Sequence, residues 1–110
     1  MVYSKPVEFS KRFLKDLEEI IEYLCFNLLN PKSASDFLDE LEKTIERICL
    51  FPLAFPSCEY YFIHDDNYRH ALLKEYIVFF RITKEKMIQI IRLLHAHNIK
   101  PKTAVDVGKI

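Results

Sequence analysis

Between Tyr68 and His95 the chain reads YRHALLKEYIVFFRITKEKMIQIIRLLH, and this run restricts the fold more than any other feature. It is dense in β-branched and aromatic residues. Polar residues interrupt it at two places, Lys74-Glu75 and Thr83 to Lys86. That spacing divides it into three strands, at about 68–73, 76–83 and 87–95, with connections short enough to make the neighbours antiparallel. Lys-Glu lacks the glycine, asparagine or aspartate that two-residue hairpins favour, so the first connection reads as a bulge or a bend.

The preceding residues have a different period. In 10–29, SKRFLKDLEEIIEYLCFNLL, the apolar residues Phe13, Leu17, Ile20, Ile21, Leu24 and Leu28 recur at three-and-four spacing and form one helical stripe. Ser10 fits as N-cap, and Asn30-Pro31 ends the helix because the residue before proline avoids the helical region. A second helix follows from the S-x-x-D start at Ser33, with Ala34, Phe37, Leu38, Leu41, Ile45 and Ile48 as its stripe and Phe51-Pro52 as its stop. Residues 51–67 carry two prolines and no helical period, so they read as a connecting loop with room for a short extended piece at Tyr60 to Ile63.

Two helices in a hairpin followed by a meander give an α+β domain: the helical hairpin (10–50) packs on one face of a three- to four-stranded, mainly antiparallel sheet (68–95). Val7-Glu8-Phe9 can add an edge strand, and 99–110 read as a tail or a further edge strand. A chain of 110 residues, half of them hydrophobic, suits one domain with a real core. The single glycine, Gly108, rules out a glycine-rich phosphate loop. Cys25, Cys49 and Cys58 are odd in number, lack CxxC spacing and lie in or beside apolar sequence, which suggests buried thiols in a reducing compartment. No apolar run approaches the ~20 residues of a membrane span, and MVYSKPVEFSKR lacks a signal-peptide core. A cytoplasmic protein is the expectation.

The zero formal charge conceals a split. Residues 1–66 hold seven Lys/Arg against thirteen Asp/Glu, a net of −6, and residues 67–110 hold nine against three, a net of +6. The split suggests a basic surface for nucleic acid or for an acidic protein. Chance segregation in a short chain gives the same numbers.

Across residues 7–98 the order and spacing of these pieces resemble the RelE/ParE superfamily of toxins from bacterial type II toxin–antitoxin systems, more closely its ParE-like, plasmid-stabilisation branch. VEFS with KDLEEIIEYL resembles the family's first strand and helix, and ASDFLDELEKTIERICLFP resembles its second helix. YRHALLKEYIVFFRI resembles its Tyr-Arg followed by an aromatic strand ending in Arg, and IIRLLHAH its last strand. The resemblance implies a cytoplasmic toxin inhibited by a cognate antitoxin that wraps it, here expected on the basic C-terminal half. It implies operator DNA bound only through the antitoxin complex, no cofactor, and either DNA gyrase or the ribosome with its mRNA as target.

The RelE branch cleaves mRNA, with a 2′-hydroxyl attacking the adjacent phosphate. That chemistry needs a base, cations for the phosphorane charge and an acid for the leaving oxygen. Candidates here are Arg69, Arg81 and Arg92 for charge, His95, His97, His70 or His64 for proton transfer, and Tyr76 to orient or donate. Strand alternation puts His95 and His97 on one face and Arg92 on the other unless a bulge intervenes. If Thr83 pairs with Lys86, Arg81 faces Ile88 and shares a side with Arg92. A slip of one residue brings Arg81 beside Gln89 and His95. The bland alternatives are salt-bridged strand arginines, with Glu42 or Glu46 as partners, a core Tyr76, and surface positions for His64 and His70. A metal reading takes His95-x-His97 with His64, Asp65 or Asp66, but the pattern falls short of a zinc motif.

RNase members of the superfamily typically carry a strongly basic active face and a C-terminal Tyr or Arg. The corresponding Ala96-His97-Asn98-Ile99 has neither. ParE-like gyrase poisoning, without catalytic machinery, is therefore the favoured expectation. A RelE-like ribosome-dependent mRNA endonuclease is the alternative, and a non-toxic member that only binds its antitoxin is a third.

Overall fold

The computed structural model describes residues 3–27, 30–57 and 67–98. The expectations placed on Cys58, on Tyr60 to Ile63, on His64, Asp65 and Asp66, and on 99–110 lie outside these residues. The elements run β1 (Val7–Phe9), α1 (Lys11–Glu22), a π-helical turn (Tyr23–Asn27), α2 (Pro31–Leu50), a 3-10 turn (Pro52–Ala54), β2 (Tyr68–Leu73), β3 (Tyr76–Ile82), β4 (Ile88–His95) and a 3-10 turn (Ala96–Asn98).

The four strands form one sheet in the order β1-β4-β3-β2. The β2–β3 and β3–β4 pairs are antiparallel, and β1 joins the far edge of β4 in parallel. The α+β expectation holds, with a mixed sheet and Val7–Phe9 as its short edge strand.

The core lies between the helical hairpin and one sheet face. Phe13 of α1 and Phe37, Leu41, Ile45 and Ile48 of α2 bury themselves against Ala71, Val78, Phe80, Ile88, Ile90 and Leu93. Each of these side chains larger than alanine contributes about 1.5–3 kcal/mol of hydrophobic stabilisation. Strand β3 is buried on both faces: Ile77 and Phe79 form a second cluster on the side away from the helices, with Tyr68, Leu94 and Ala96 packed against it. This explains why Ile77 to Phe80 is a continuous apolar run and not an alternation.

Local chemistry sets the helix ends. The Ser10 hydroxyl accepts from Phe13 N–H at 3.0 Å and donates to the Ile91 carbonyl at 2.6 Å, so one buried serine caps α1 and ties it to β4. Helix α2 starts earlier than the S-x-x-D pattern predicts. Asn30 is its N-cap, its side chain accepting from Ser33 N–H at 3.4 Å, and Pro31 opens the helix where its missing N–H costs nothing. The helix ends after Leu50, with Phe51 N–H bonded to the Arg47 carbonyl at 2.9 Å.

The turns correct one expectation. Leu73 pairs directly with Tyr76, so Lys74-Glu75 is a two-residue hairpin loop, not a bulge. Lys74 accommodates it with φ 54°, and the β3–β4 turn places Lys86 at φ 66°. The bulge lies instead between β3 and β4. Phe79 pairs with Arg92 and Phe80 with Ile90, which leaves Ile91 as the extra residue.

Candidate functional site at the end of strand β4

The register separates the three strand arginines. Arg81 pairs with Tyr68 on one side and Gln89 on the other, the second of the two registers considered. Its guanidinium lies 5.6 Å from the centre of the Tyr68 ring, and its Nη1 donates to Gln89 Oε1 at 3.4 Å. Gln89 Nε2 in turn reaches Glu8 Oε1 at 3.5 Å, so a polar row crosses all four strands on the face away from the helices. Arg69 pairs with Phe80, on the helix side, and donates through Nη1 to the Phe55 carbonyl at 2.6 Å. The Nε atoms of Arg69 and Arg81 are buried without a hydrogen-bond partner among the described residues.

Arg92 grips Asp16 of α1. Its Nε and Nη2 donate to the two carboxylate oxygens at 2.8 and 3.1 Å. The expected partners Glu42 and Glu46 are not used for this: Glu46 accepts instead from the hydroxyl and backbone N–H of Ser4. They lie on α2, whereas β1 ends at Phe9 and leaves the edge of β4 to α1.

His95 and His97 do come together. Their rings stack at 4.9 Å and 20°, and His97 N–H donates to His95 Nδ1 at 3.1 Å. A backbone N–H only donates, so Nδ1 is the acceptor and the ring hydrogen sits on Nε2, which faces Glu75 Oε2 at 3.3 Å. Tyr76 meets the His95 ring edge-on at 5.0 Å and Phe37 at 5.1 Å, forming a chain of rings from α2 through β3 to β4. Burial, then the Glu75 carboxylate and Tyr23, hold the Tyr76 phenol above its ordinary value. The bulge at Ile91 lies outside the span from Arg92 to His95, and the two do not pair with each other: one turns to Asp16 and the other to Glu75.

His70 is half-buried, not a surface residue as expected. It pairs with Phe79, its ring 6.4 Å from the phenyl ring. Burial lowers its basicity below the ordinary histidine value, and a hydrogen bond to the Ser57 backbone partly offsets this. Among the described residues no group of three His, Cys, Asp or Glu side chains is placed to hold a metal. No helix among them is long and apolar enough to cross a membrane.

Beside the ring chain opens a cleft of about 630 Å³ between the end of α1, the start of α2, the β2–β3 hairpin tip and the end of β4. Ile20, Leu24, Phe37, Leu93 and Leu94 supply its apolar lining, and Tyr23, Tyr76 and His95 its aromatic lining. Four carboxylates reach it, from Asp16, Glu19, Asp36 and Glu75, with Lys74 as the one lysine among its lining residues.

Asp16, Glu19 and Glu75 were absent from the sequence candidates. Asp16 carried a signal: an acid sits within the apolar stripe, three residues after Phe13 and four before Ile20. Glu19 and Glu75 carried none, because the hairpin tip and the helix meet only through the tertiary fold. The C-terminal half does not present its positive charge as one surface among the described residues. Arg69, Arg81 and Arg92 are engaged internally, and Lys74 lies at the opposite end of β3 from Lys84 and Lys86.

Comparison with known proteins agrees with this architecture. None of the curated proteins matches the sequence. A solved structure, the chromosomal ParDE TA system from P. aeruginosa, superposes with a TM-score of 0.65 at 16% identity, over 83% of this chain and 95% of that one. At that identity the likeness concerns the fold. The family model described as the ParE toxin of the type II toxin–antitoxin system, parDE, matches residues 7–99. The chain belongs to the ParE toxin family of the RelE/ParE superfamily.

Proposed function

We propose that this protein is a toxin that arrests growth by binding a protein target, DNA gyrase, without cutting RNA, and that a cognate antitoxin neutralises it in the cytoplasm. The observation that carries the choice of mechanism is the charge around His95. An mRNA nuclease needs cations converging on the scissile phosphate. Here the neighbouring cleft is lined by four carboxylates, two of them paired with Arg92 and Lys32, so that among the described residues it has no excess of cations to meet a phosphate backbone. The three arginines diverge to Phe55, Gln89 and Asp16. Both His95 nitrogens are also engaged, Nδ1 by His97 N–H and Nε2 by Glu75, so neither offers a lone pair for a substrate hydroxyl.

Family membership supports the toxin role, and the ParDE neighbour supports an antitoxin partner. The test is expression without antitoxin, with gyrase supercoiling assayed on purified protein and mRNA ends mapped in the same cells. Growth arrest with inhibited supercoiling and intact mRNA is the expected result. Ribosome-dependent cuts within codons would establish the nuclease instead, and unimpaired growth would leave only an antitoxin-binding module.

A further inference from the structure

The charge split of the sequence suggests an acidic partner for the C-terminal half. The cleft requires the opposite chemistry. Its walls are apolar, and an apolar groove open to water is a docking surface once its rim selects an occupant. The rim here is anionic. Asp16 is matched by Arg92, and Asp36 is met by Lys32 in an exposed pair that contributes little. Glu75 faces the His95 ring through Nε2, and neither Glu75 nor Glu19 has a lysine or arginine ion-pair partner among the described residues. Lys74 is the one lysine among the described lining residues. Among the described residues the rim therefore keeps a small excess of negative charge, four carboxylates against Arg92, Lys32 and Lys74, around two tyrosines whose ring faces favour a cation.

The π-helical turn at the end of α1 adds a second, independent feature. It holds Tyr23 at the cleft, 48% exposed, and leaves Phe26 72% exposed beside it on the same turn. A π-turn interrupts regular helix packing and often marks a functional surface. Tyr23, half-exposed on the cleft wall, extends the docking surface outward.

We propose that this cleft receives a segment of the antitoxin that presents an arginine or lysine flanked by aliphatic side chains. The aliphatic groups pack on Leu24, Phe37 and Leu94, and the cation lies between Tyr23 and Tyr76 and is held by Glu19, Asp36 and Glu75. The inference rests on the antitoxin reading above and adds the chemistry of the contact. Net negative charge selects against an acidic segment by repulsion as well as for a basic one by attraction.

The test is calorimetric titration of the separately purified cognate antitoxin into wild-type toxin and into the triple variant Glu19→Gln, Asp36→Asn, Glu75→Gln, at about 50 and about 300 mM salt. All three positions are outside the core, so the variant is expected to fold. The expected result is tight, salt-sensitive binding to wild type and about tenfold weaker, nearly salt-independent binding to the variant. Equal affinity and equal salt slopes overturn the inference and leave the antitoxin reading standing. Absence of binding to wild type removes the antitoxin reading itself. A second measurement does not depend on the variant: NMR titration of wild type with hexylguanidinium and with hexyl sulfate. Saturable shifts at Tyr23, Tyr76 and His95 from the cation alone are expected. Equal response to both, or to neither, overturns the proposal.

Discussion

Arg92 and Asp16 are locked together by a two-point contact, Nε and Nη2 on the two carboxylate oxygens, across 76 residues of sequence. The same Asp16 oxygen that takes Nε also accepts the Leu93 backbone N–H at 3.0 Å. Asp16 thereby supplies a hydrogen bond to the part of the β4 edge that three-residue β1 does not reach. Side-chain exposure is 12% for Arg92 and 11% for Asp16, so the pair is largely withdrawn from water. Its role is to dock α1 on the sheet, which is why an arginine that looks catalytic in sequence is structural here.

Removing either member leaves a nearly buried charge without its counter-ion. Asp16→Ala and Arg92→Ala should each lower unfolding free energy by about 2–4 kcal/mol. Asp16→Asn should cost less, since its amide oxygen still accepts from Leu93. The double alanine variant should lose less than the sum of the singles, because the two residues share one interaction. Urea unfolding of the four variants checks this. Additive losses would mean that the two side chains stabilise the fold independently.

Two lysines carry backbone strain that glycine would relieve. Lys86 closes the β3–β4 turn at φ 66°, with its N–H on the Thr83 carbonyl and the Thr83 N–H on the Met87 carbonyl, both at 2.9 Å. A left-handed conformation costs an ordinary L-residue about 1–2 kcal/mol, partly offset in a glycine variant by the greater freedom of its unfolded chain. Lys86→Gly should therefore raise stability by about 0.5–1 kcal/mol, and Lys74→Gly by a similar amount. A melting temperature that falls for both would show that the lysine side chains contribute more than the turn geometry costs.

These residues show how far sequence carries. Periodicity located both helices and all three meander strands, because apolar spacing depends only on which face is buried. Ser10 was legible as a cap because capping is local. Register was not legible. Arg81 beside Ile88 or beside Gln89 differ by one residue, and the bulge at Ile91 that decides their relation to Arg92 leaves no mark in a run of isoleucines. The cleft was invisible for the same reason: Glu19, Asp36 and Glu75 are brought together by a hairpin tip and two helix ends that are remote in sequence. The charge split misled, because it counts arginines that the fold uses internally.

His70 makes stability depend on pH in a defined direction. Burial depresses its folded-state pKa below the unfolded value near 6.5. Between the two values the unfolded chain binds more protons, so stability rises with pH across that window. The His70 contribution is fully present above about pH 6.5 and is lost as pH falls through the folded value. Comparing urea midpoints at about pH 7.5 and about pH 5 for wild type and His70→Gln checks it. The variant should lose part of the acid sensitivity, whereas an unchanged difference would assign the effect to other groups.

The decisive mutation for mechanism is His95→Gln. In a nuclease that uses His95 to move a proton, the variant would lose about 100-fold or more of its activity, since general acid–base catalysis contributes that much. In the binding mechanism proposed here, His95 acts through shape. Its ring fills the space between Tyr76 at 5.0 Å and His97 at 4.9 Å, and glutamine retains an amide N–H within reach of Glu75. Growth arrest by His95→Gln should therefore stay within about threefold of wild type at matched expression, with gyrase inhibition falling in proportion. Circular dichroism on the purified variant separates lost function from lost fold. A folded His95→Gln protein without toxicity would put the proton-transfer reading ahead of the binding mechanism, and Glu75→Gln would then be the next residue to test, because Glu75 faces the His95 Nε2 hydrogen.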